Sequence, residues 1–175
     1  MNKTRFLAAC LASFAILLVV WRVTRGAQWY TTGLLAVAGV VGPMLHGWVL
    51  ESAVHADGAP TWVHGSNRVQ LALQFDALAV GLVPLLALLA ATPGLSARRR
   101  AMLMVVGAAL NFLVDTLIVA LFPLLVFYKN AFTDVVGTFL GMIAFVGAPV
   151  IIWFALTFRE LQQLLPSLRP RLQAR

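Results

Sequence analysis

Two long apolar segments on either side of a basic turn constrain the fold of this chain most strongly. Residues 76–91 and 101–128 consist almost entirely of apolar side chains, and the turn between them, 92–100, contains a Pro-Gly pair and three successive arginines. Apolar runs joined across such a turn are typical of a helical hairpin that crosses a membrane with its basic tip in the cytoplasm. We expect this hairpin to be the centre of the protein.

The composition extends this expectation to the whole chain. Hydrophobic residues make up 61% of the 175 residues and charged residues only 11%. A soluble domain is about half apolar and about a quarter charged. The chain also lacks the alternating segments of a membrane β-barrel. The predicted fold is therefore an all-α integral membrane bundle of 4–5 transmembrane helices.

The net charge is +7. We expect the basic residues to set the topology and to contact anionic lipid rather than to bind nucleic acid.

The whole chain, 1–175, is predicted to be a single membrane domain. Its predicted spans are residues 6–23, 33–50, 76–91, 101–128 and 135–158. Glycines and a proline interrupt the second of these, which is either a kinked span or a re-entrant segment. Residues 51–75 form a predicted extracytoplasmic loop, where apolar and polar residues alternate around 61–63 and 68–75 and predict a small β-hairpin. Residues 159–175 form a predicted basic amphipathic tail in the cytoplasm.

The distribution of Lys and Arg is compatible with two topologies. The arginine turn and the basic tail are expected inside. If residues 33–50 span the membrane, the N-terminus lies outside; if they are re-entrant, it lies inside. Both topologies place the same number of basic residues inside, so the charge distribution does not distinguish them. A short basic start followed by an apolar run behaves as a signal anchor, which favours an inside N-terminus.

Asp115 is the strongest single candidate for a functional residue. A carboxylate at the centre of a spanning helix costs roughly 2.5–3.5 kcal/mol on insertion scales, so it should face the bundle interior and have a partner or a task. Asn111 lies four residues earlier on the same helix face and can donate a hydrogen bond. Asp115 is thus either a structural residue bonded to Asn111 and a neighbouring helix, or a proton-exchanging group.

Asp76 and Asp134 lie at the outer ends of their predicted helices. Both suit an N-cap, where a carboxylate meets free backbone N–H groups and the positive end of the helix dipole. The alternative interpretation is that Asp76 and Asp134 converge with Asp115 on an outward-facing acidic pocket.

No catalytic, cofactor or metal site is predicted. His46, His55 and His64 are spaced nine residues apart, which matches no zinc or copper motif. Cys10 is the single cysteine, so an intramolecular disulfide and a Cys-x-x-Cys motif are both excluded. The chain also lacks a Gly-rich phosphate loop and the His-Glu-x-x-His motif.

Part of the chain is similar in its order of segments to a known family. Residues 69–75 suit a short extended segment. Residues 91–93 together with 98–100 suit an arginine-rich turn, and residues 101–122 suit a helix that returns from this turn. This order resembles the core of the exosortase/archaeosortase family, membrane-embedded cysteine proteases and transpeptidases that process C-terminal sorting signals. The resemblance covers about half of the chain, and its motifs are hydropathic.

The catalytic positions of that family hold other residues here. The resemblance places the family's Cys at or next to Asp76, its Asn near Asp115, its Arg near Ile118, and its His near Asp134 or Gly137. No thiol, guanidinium or imidazole remains at these positions to form and stabilise an acyl-enzyme. The resemblance therefore implies a non-catalytic or exosortase-associated member, a pseudoenzyme.

Three functions follow as expectations. The first is a non-enzymatic, exosortase-like protein that assists protein sorting or cell-envelope assembly in a bacterial inner membrane, with the lipid bilayer and a membrane protease or sorting protein as partners. The second is a small transporter or proton-coupled channel that uses intramembrane Asp115. The third is a peptidase with an unrecognised nucleophile.

Overall fold

The computed structural model describes residues 3–51, 60–70, 75–128, 130–142 and 147–164. Within these ranges the chain is mostly helical and carries one small sheet, as the sequence predicts. In chain order the elements are α1 Lys3–Val23, α2 Gly26–His46, β1 Val49–Glu51, β2 Thr61–His64, β3 Asn67–Gln70, α3 Phe75–Ala91, α4 Ala97–Phe127, α5 Ala131–Met142 and α6 Ala148–Leu164.

The predicted β-hairpin is present and gains a third strand. β2 and β3 are antiparallel and are joined by a tight turn at Gly65, which has a φ of +60° that glycine adopts without strain. β1 pairs with the other edge of β2, with Leu50 opposite Trp62. β1 was not predicted, because its three residues continue an apolar segment and are too few to show alternation. His55 lies outside the described residues.

α2 extends further toward the N-terminus than the sequence predicts. The predicted segment 33–50 begins at Gly26 as one continuous helix of 21 residues and ends at Gly47 with a φ of +75°. Residues 26–32 have the polar and aromatic composition of an interfacial connector, but Tyr30 packs against Phe112 of α4 and this contact favours the helix. Pro43 is tolerated near the end of α2, where its carbonyl accepts from Gly47 N–H at 3.0 Å.

α3 and α4 form the predicted hairpin. α3 ends before Pro93, and Gly94 turns the chain with a φ of +80°. Ser96 caps α4 by accepting from Arg99 N–H, so the arginines belong to the helix rather than to the turn. α4 contains 31 residues and is therefore about 46 Å long.

The predicted last span, 135–158, corresponds to α5 and α6, and residues 143–146 between them lie outside the described residues. α5 begins at Ala131, so the prediction that Asp134 caps this helix is wrong. Asn130 is the cap instead, since its Oδ1 accepts from Thr133 N–H at 2.9 Å. Residues 165–175, most of the predicted tail, also lie outside the described residues.

Two hydrophobic clusters share α4. The outer cluster joins α2 and the sheet to the second half of α4, and its buried members are Leu34, Ala38, Trp48, Trp62, Val69, Ile118, Val119 and Ala120. The inner cluster joins α3 and α6 around Leu85, Leu89, Ala148 and Ile152, with Leu103 and Met104 from the first half of α4. Val114 packs against both clusters, so it marks the boundary between them.

One end of the molecule, which we call the basic end, gathers four helices. Phe6 of α1 stacks on Trp153 of α6 at a centroid distance of 6.4 Å. Trp153 Nε1 donates to Thr92 Oγ1 at 2.9 Å, and Arg100 donates to the carbonyl of Thr92 at 3.2 Å. The N-terminal end of α1 therefore lies beside the arginine-rich start of α4.

Two helices within the described residues are long and apolar enough to cross a bilayer. They are Thr4–Val23 and Ala97–Phe127, each with a mean hydropathy of 2.3 in its most apolar window. No residue of the first window is buried, whereas 39% of the second is buried. Core helices and N-terminal signal sequences share these properties, so the membrane location stays a prediction at this point.

Candidate functional site

Three side chains form a polar cluster where the outer and inner clusters meet. Tyr30 OH of α2 donates to Asp115 Oδ2 of α4 at 2.6 Å. Asn111 Nδ2 donates to the same oxygen at 2.9 Å and also lies 3.2 Å from Tyr30 OH. Asn111 and Asp115 each have an exposed fraction of 0%. We call Tyr30, Asn111 and Asp115 the polar triad.

Helix geometry and aromatic packing position the polar triad. Asn111 and Asp115 are four residues apart, so they lie one above the other on the same face of α4. The ring of Tyr30 is held edge-on by Phe112 at 5.4 Å and contacts Trp21 at 6.1 Å. The Tyr30 hydroxyl is therefore directed at the carboxyl group by rigid neighbours on α1 and α4.

Two oxygens of the polar triad lack a partner. The donors converge on Asp115 Oδ2, whereas Asp115 Oδ1 and Asn111 Oδ1 are buried and have no hydrogen-bond partner in the part of the chain that the structure describes. A buried acceptor without a donor costs about 1–3 kcal/mol. A protonated carboxyl group carries an O–H donor that a carboxylate lacks, so this arrangement can hold one proton at Asp115.

The polar triad lies far from the basic end. Asp115 is 18 residues after the first residue of α4 and 12 residues before the last, Phe127. These separations correspond to about 27 Å and about 18 Å along the helix axis. The triad is thus enclosed between the two hydrophobic clusters and does not lie at a helix end.

The predicted acidic pocket is only partly tested by the described side chains. Asp115 faces Tyr30 and Asn111, as a buried carboxylate with partners should. Asp134 is exposed on α5, where it lines a shallow depression with Thr138 and Phe139, and it is not among the hydrogen-bond partners of Asp115. Asp76 belongs to α3, but its side chain lies outside those described. Asp134 and Asp115 thus have different surroundings, and an acidic pocket that combines Asp76, Asp115 and Asp134 stays a prediction.

Tyr30 is the member of the polar triad that the sequence did not predict. It stands 85 positions from Asp115, between the predicted spans 6–23 and 33–50. A signal was present: Tyr30, Leu34, Ala38 and Gly42 recur every four residues and form the buried or half-buried face of α2. This period predicts a helix face that packs against a partner.

His46 makes a second polar contact between α2 and α4. Its Nδ1 accepts from Trp48 N–H at 3.2 Å, so Nε2 carries the proton and donates to the carbonyl of Ala120 at 2.6 Å. Both ring nitrogens are therefore occupied. His64 is exposed on β2 and lies against Trp48. Within the described side chains, no group of three His, Cys, Asp or Glu residues is arranged to bind a metal.

An ion pair with one covered partner stabilises the basic end. Arg99 of α4 pairs with Glu160 of α6, and the exposed fractions of these side chains are 52% and 8%. The partner of the carboxylate is thus half in solvent, while the carboxylate itself is covered. This pair fixes α6 against the start of α4 and lies far from the polar triad.

Comparisons with known proteins identify no relative: no family model, no curated protein and no solved structure matches this chain. The exosortase-like resemblance stays a prediction. At the position where that family has its Arg, Ile118 is buried in the outer cluster.

Proposed function

We propose that this protein is a multi-pass membrane protein in which the polar triad takes up and releases a proton during transport or gating. The observation that carries this proposal is the placement of Asp115. One of its oxygens accepts two hydrogen bonds, the other has no partner in the described part, and the residue has no exposed surface. Ionisable groups buried within a membrane bundle mark ion or proton pathways by default.

The surface of the described helices supports the membrane setting. Large apolar side chains are exposed on several helices, among them Leu11, Ile16, Val40, Met44, Val105, Leu113, Phe139, Ile151 and Phe154. Soluble monomers rarely expose contiguous apolar patches larger than a few hundred Å². Lipid is the solvent that suits such a surface, and a bacterial inner membrane suits the short connections.

The basic end supports an inside N-terminus. Exposed Arg5, Arg98, Arg99 and Arg159 lie at the end where α1 begins, α4 begins and α6 continues. Cytoplasmic segments next to spans carry an excess of Lys and Arg. Asp115 would then lie about 27 Å from the cytoplasmic start of α4, close to the far side of a hydrocarbon layer about 30 Å thick.

Proton binding at Asp115 would change the contact between α2 and α4. Hydrogen bonds to an ionised carboxylate are roughly twice as strong as bonds between neutral groups. Proton uptake therefore weakens the bond from Tyr30, and proton release strengthens it. Since Tyr30 belongs to α2, the protonation of one residue of α4 is converted into a change in helix–helix affinity.

Proton flux into liposomes tests this proposal. The purified protein is reconstituted with an internal pH-sensitive dye, and a potassium diffusion potential is imposed. We expect the wild-type protein to carry protons and the Asp115→Asn variant to lose at least about tenfold of this flux, because an amide cannot exchange a proton at neutral pH. Asp134→Asn is the matched control, since it removes an exposed carboxylate outside the triad.

Two results would overturn the proposal. One is an equal flux for wild-type and Asp115→Asn protein with equal melting temperatures. The other is a wild-type flux no higher than that of empty liposomes across the pH range. The melting temperature in detergent separates a lost pathway from a misfolded variant.

An exosortase-like accessory role in protein sorting is the second candidate. The observation in its favour is the order of the elements. β3 precedes α3, a turn with Pro93 follows, and α4 begins with three arginines and runs back along α3. This likeness concerns the fold and carries no chemistry. A pull-down from detergent tests it: recovery of a membrane protease or its sorted substrate supports the role, and recovery of neither contradicts it.

A further inference from the structure

A cavity at the junction of α1, α2 and α3 combines an apolar wall with two arginines. Its volume is about 170 Å³, and its lining includes Phe14, Leu18, Trp21, Arg22 and Arg25 with Val83 of α3. We call it the junction cavity. None of the three triad residues lines it, although Trp21 contacts both the cavity and Tyr30.

The face of α1 changes from apolar to basic along the cavity. Phe14, Leu18 and Arg22 are four residues apart, and Trp21 follows Leu18 by three residues, so these side chains share a helix face. Phe14 and Trp21 are half-buried, whereas Arg22 and Arg25 are exposed. The cavity therefore has an apolar interior and a cationic rim.

Among the described side chains, the positive rim has no counter-ion. No carboxylate of the described side chains lies within ion-pair distance of Arg22 or Arg25. α2 begins at Gly26, directly beside them, and has no acidic residue in its first turn. The positive end of the α2 dipole and its free N–H groups thus add to the charge of the two guanidinium groups. All of these features favour an anion.

The size of the junction cavity decides what kind of anion fits. Pockets that enclose a drug-sized ligand measure about 300–1,000 Å³, whereas an apolar cavity of about 150 Å³ accommodates one benzene molecule. The junction cavity, at about 170 Å³, is therefore large enough for one short hydrocarbon segment. We propose that it binds an anionic phospholipid, with part of an acyl chain inside and the phosphate on Arg22 and Arg25.

The length of α1 places the rim at the level of lipid headgroups. Arg5 and Arg22 are 17 residues apart, which is about 26 Å along the helix. The hydrocarbon layer is about 30 Å thick, and arginine side chains extend toward the interface. In the proposed membrane, Arg5 therefore contacts one headgroup layer and the junction cavity opens to the other. The proposal thus depends on the membrane setting but not on proton transfer.

Native mass spectrometry of the full chain in detergent tests the site. The protein is titrated with palmitoyl-oleoyl phosphatidylglycerol and, in parallel, with the zwitterionic phosphatidylcholine of the same chains. We expect preferential retention of phosphatidylglycerol. Its affinity should fall by roughly 30-fold in the variant that carries both Arg22→Gln and Arg25→Gln, because each arginine near an anionic surface contributes about 1 kcal/mol. Arg68→Gln is the control, since it removes an exposed arginine on β3 away from the cavity.

A second variant separates charge from shape. Ala27 also lines the cavity, so Ala27→Leu fills part of it without changing a charge. We expect this variant to weaken phosphatidylglycerol binding as well. Asp115→Asn should bind the lipid like the wild type, so the lipid site and the proton pathway can fail separately.

Three outcomes would overturn the lipid site. The first is equal retention of phosphatidylglycerol and phosphatidylcholine by the wild type. The second is an equal loss of affinity in Arg68→Gln and in the Arg22 and Arg25 variants, which would indicate general charge attraction. The third is a loss of thermal stability without lipid in the Arg22 and Arg25 variants, which would indicate that these arginines pair within the protein.

Discussion

The substitution Tyr30→Phe tests the charge of the polar triad in its native position. It removes one hydroxyl group and keeps the ring that contacts Phe112 and Trp21. The hydroxyl donates to Asp115 Oδ2 at 2.6 Å, so the change deletes one interhelical hydrogen bond and little packing. The cost of this deletion depends on whether the acceptor is neutral or ionised.

The neutral and the ionised acceptor predict different ranges for this cost. Interhelical hydrogen bonds between membrane helices average about 0.6 kcal/mol and reach about 1.7 kcal/mol. Hydrogen bonds to charged groups contribute about 1.5–3 kcal/mol. We therefore expect Tyr30→Phe to cost about 0.6–1.7 kcal/mol at acidic pH, where Asp115 carries the proton, and about 1.5–3 kcal/mol at alkaline pH, where it has lost the proton.

A double-mutant cycle isolates the energy of the hydrogen bond between Tyr30 and Asp115. The free energy of unfolding is measured in mixed micelles for the wild type, Tyr30→Phe, Asp115→Asn and the double variant, at acidic and alkaline pH. The coupling energy between the two positions should rise with pH, and in the Asp115→Asn background the cost of Tyr30→Phe should not depend on pH. A coupling energy that is the same at both pH values would refute the idea that Asp115 exchanges a proton in this site.

Two further predictions concern the packing of α2 and the basic end. Gly42→Ala should cost about 1–3 kcal/mol of unfolding free energy, since its new methyl group collides with the buried ring of Trp62. Gly39→Ala should be neutral or stabilising by up to about 1 kcal/mol, because its Cβ has ordinary contacts and alanine favours a helix. A larger loss of unfolding free energy for Gly39→Ala than for Gly42→Ala would contradict this packing. Arg99→Ala should lower the melting temperature more than Arg98→Ala, since of these two arginines Arg99 pairs with the covered carboxylate of Glu160 on α6. Equal decreases in melting temperature would contradict a stabilising role for this ion pair.

Local patterns predicted the central helical hairpin and two of the three strands. α3 and α4 follow from apolar runs on either side of Pro93 and Gly94, and β2 and β3 follow from alternation around a glycine turn. The spacing of Asn111 and Asp115 also predicted their hydrogen bond, because a helix places residues four apart on one face. These features depend on neighbouring residues alone.

Long-range packing could not be predicted in the same way. Nothing near Tyr30 in the sequence indicates that α2 crosses to the middle of α4, and the polar triad depends on this contact. The cap of α5 was misassigned because Asn130, Thr133 and Asp134 all have suitable side chains. Only the backbone geometry shows which of them precedes the first helical turn.

The packing of α1 has a consequence for the order of events during synthesis. α1 packs mainly against α3, although α2 and the sheet lie between them in the chain. Phe75, the first residue of α3, is 72 positions after Lys3, which at about 5–20 residues per second is a delay of roughly 4–14 s. In the proposed membrane setting, α1 therefore stays in the bilayer without its partner during this interval. The apolar window Thr4–Val23 of α1 has no buried residue, so lipid alone can solvate every side of the helix until α3 is synthesised.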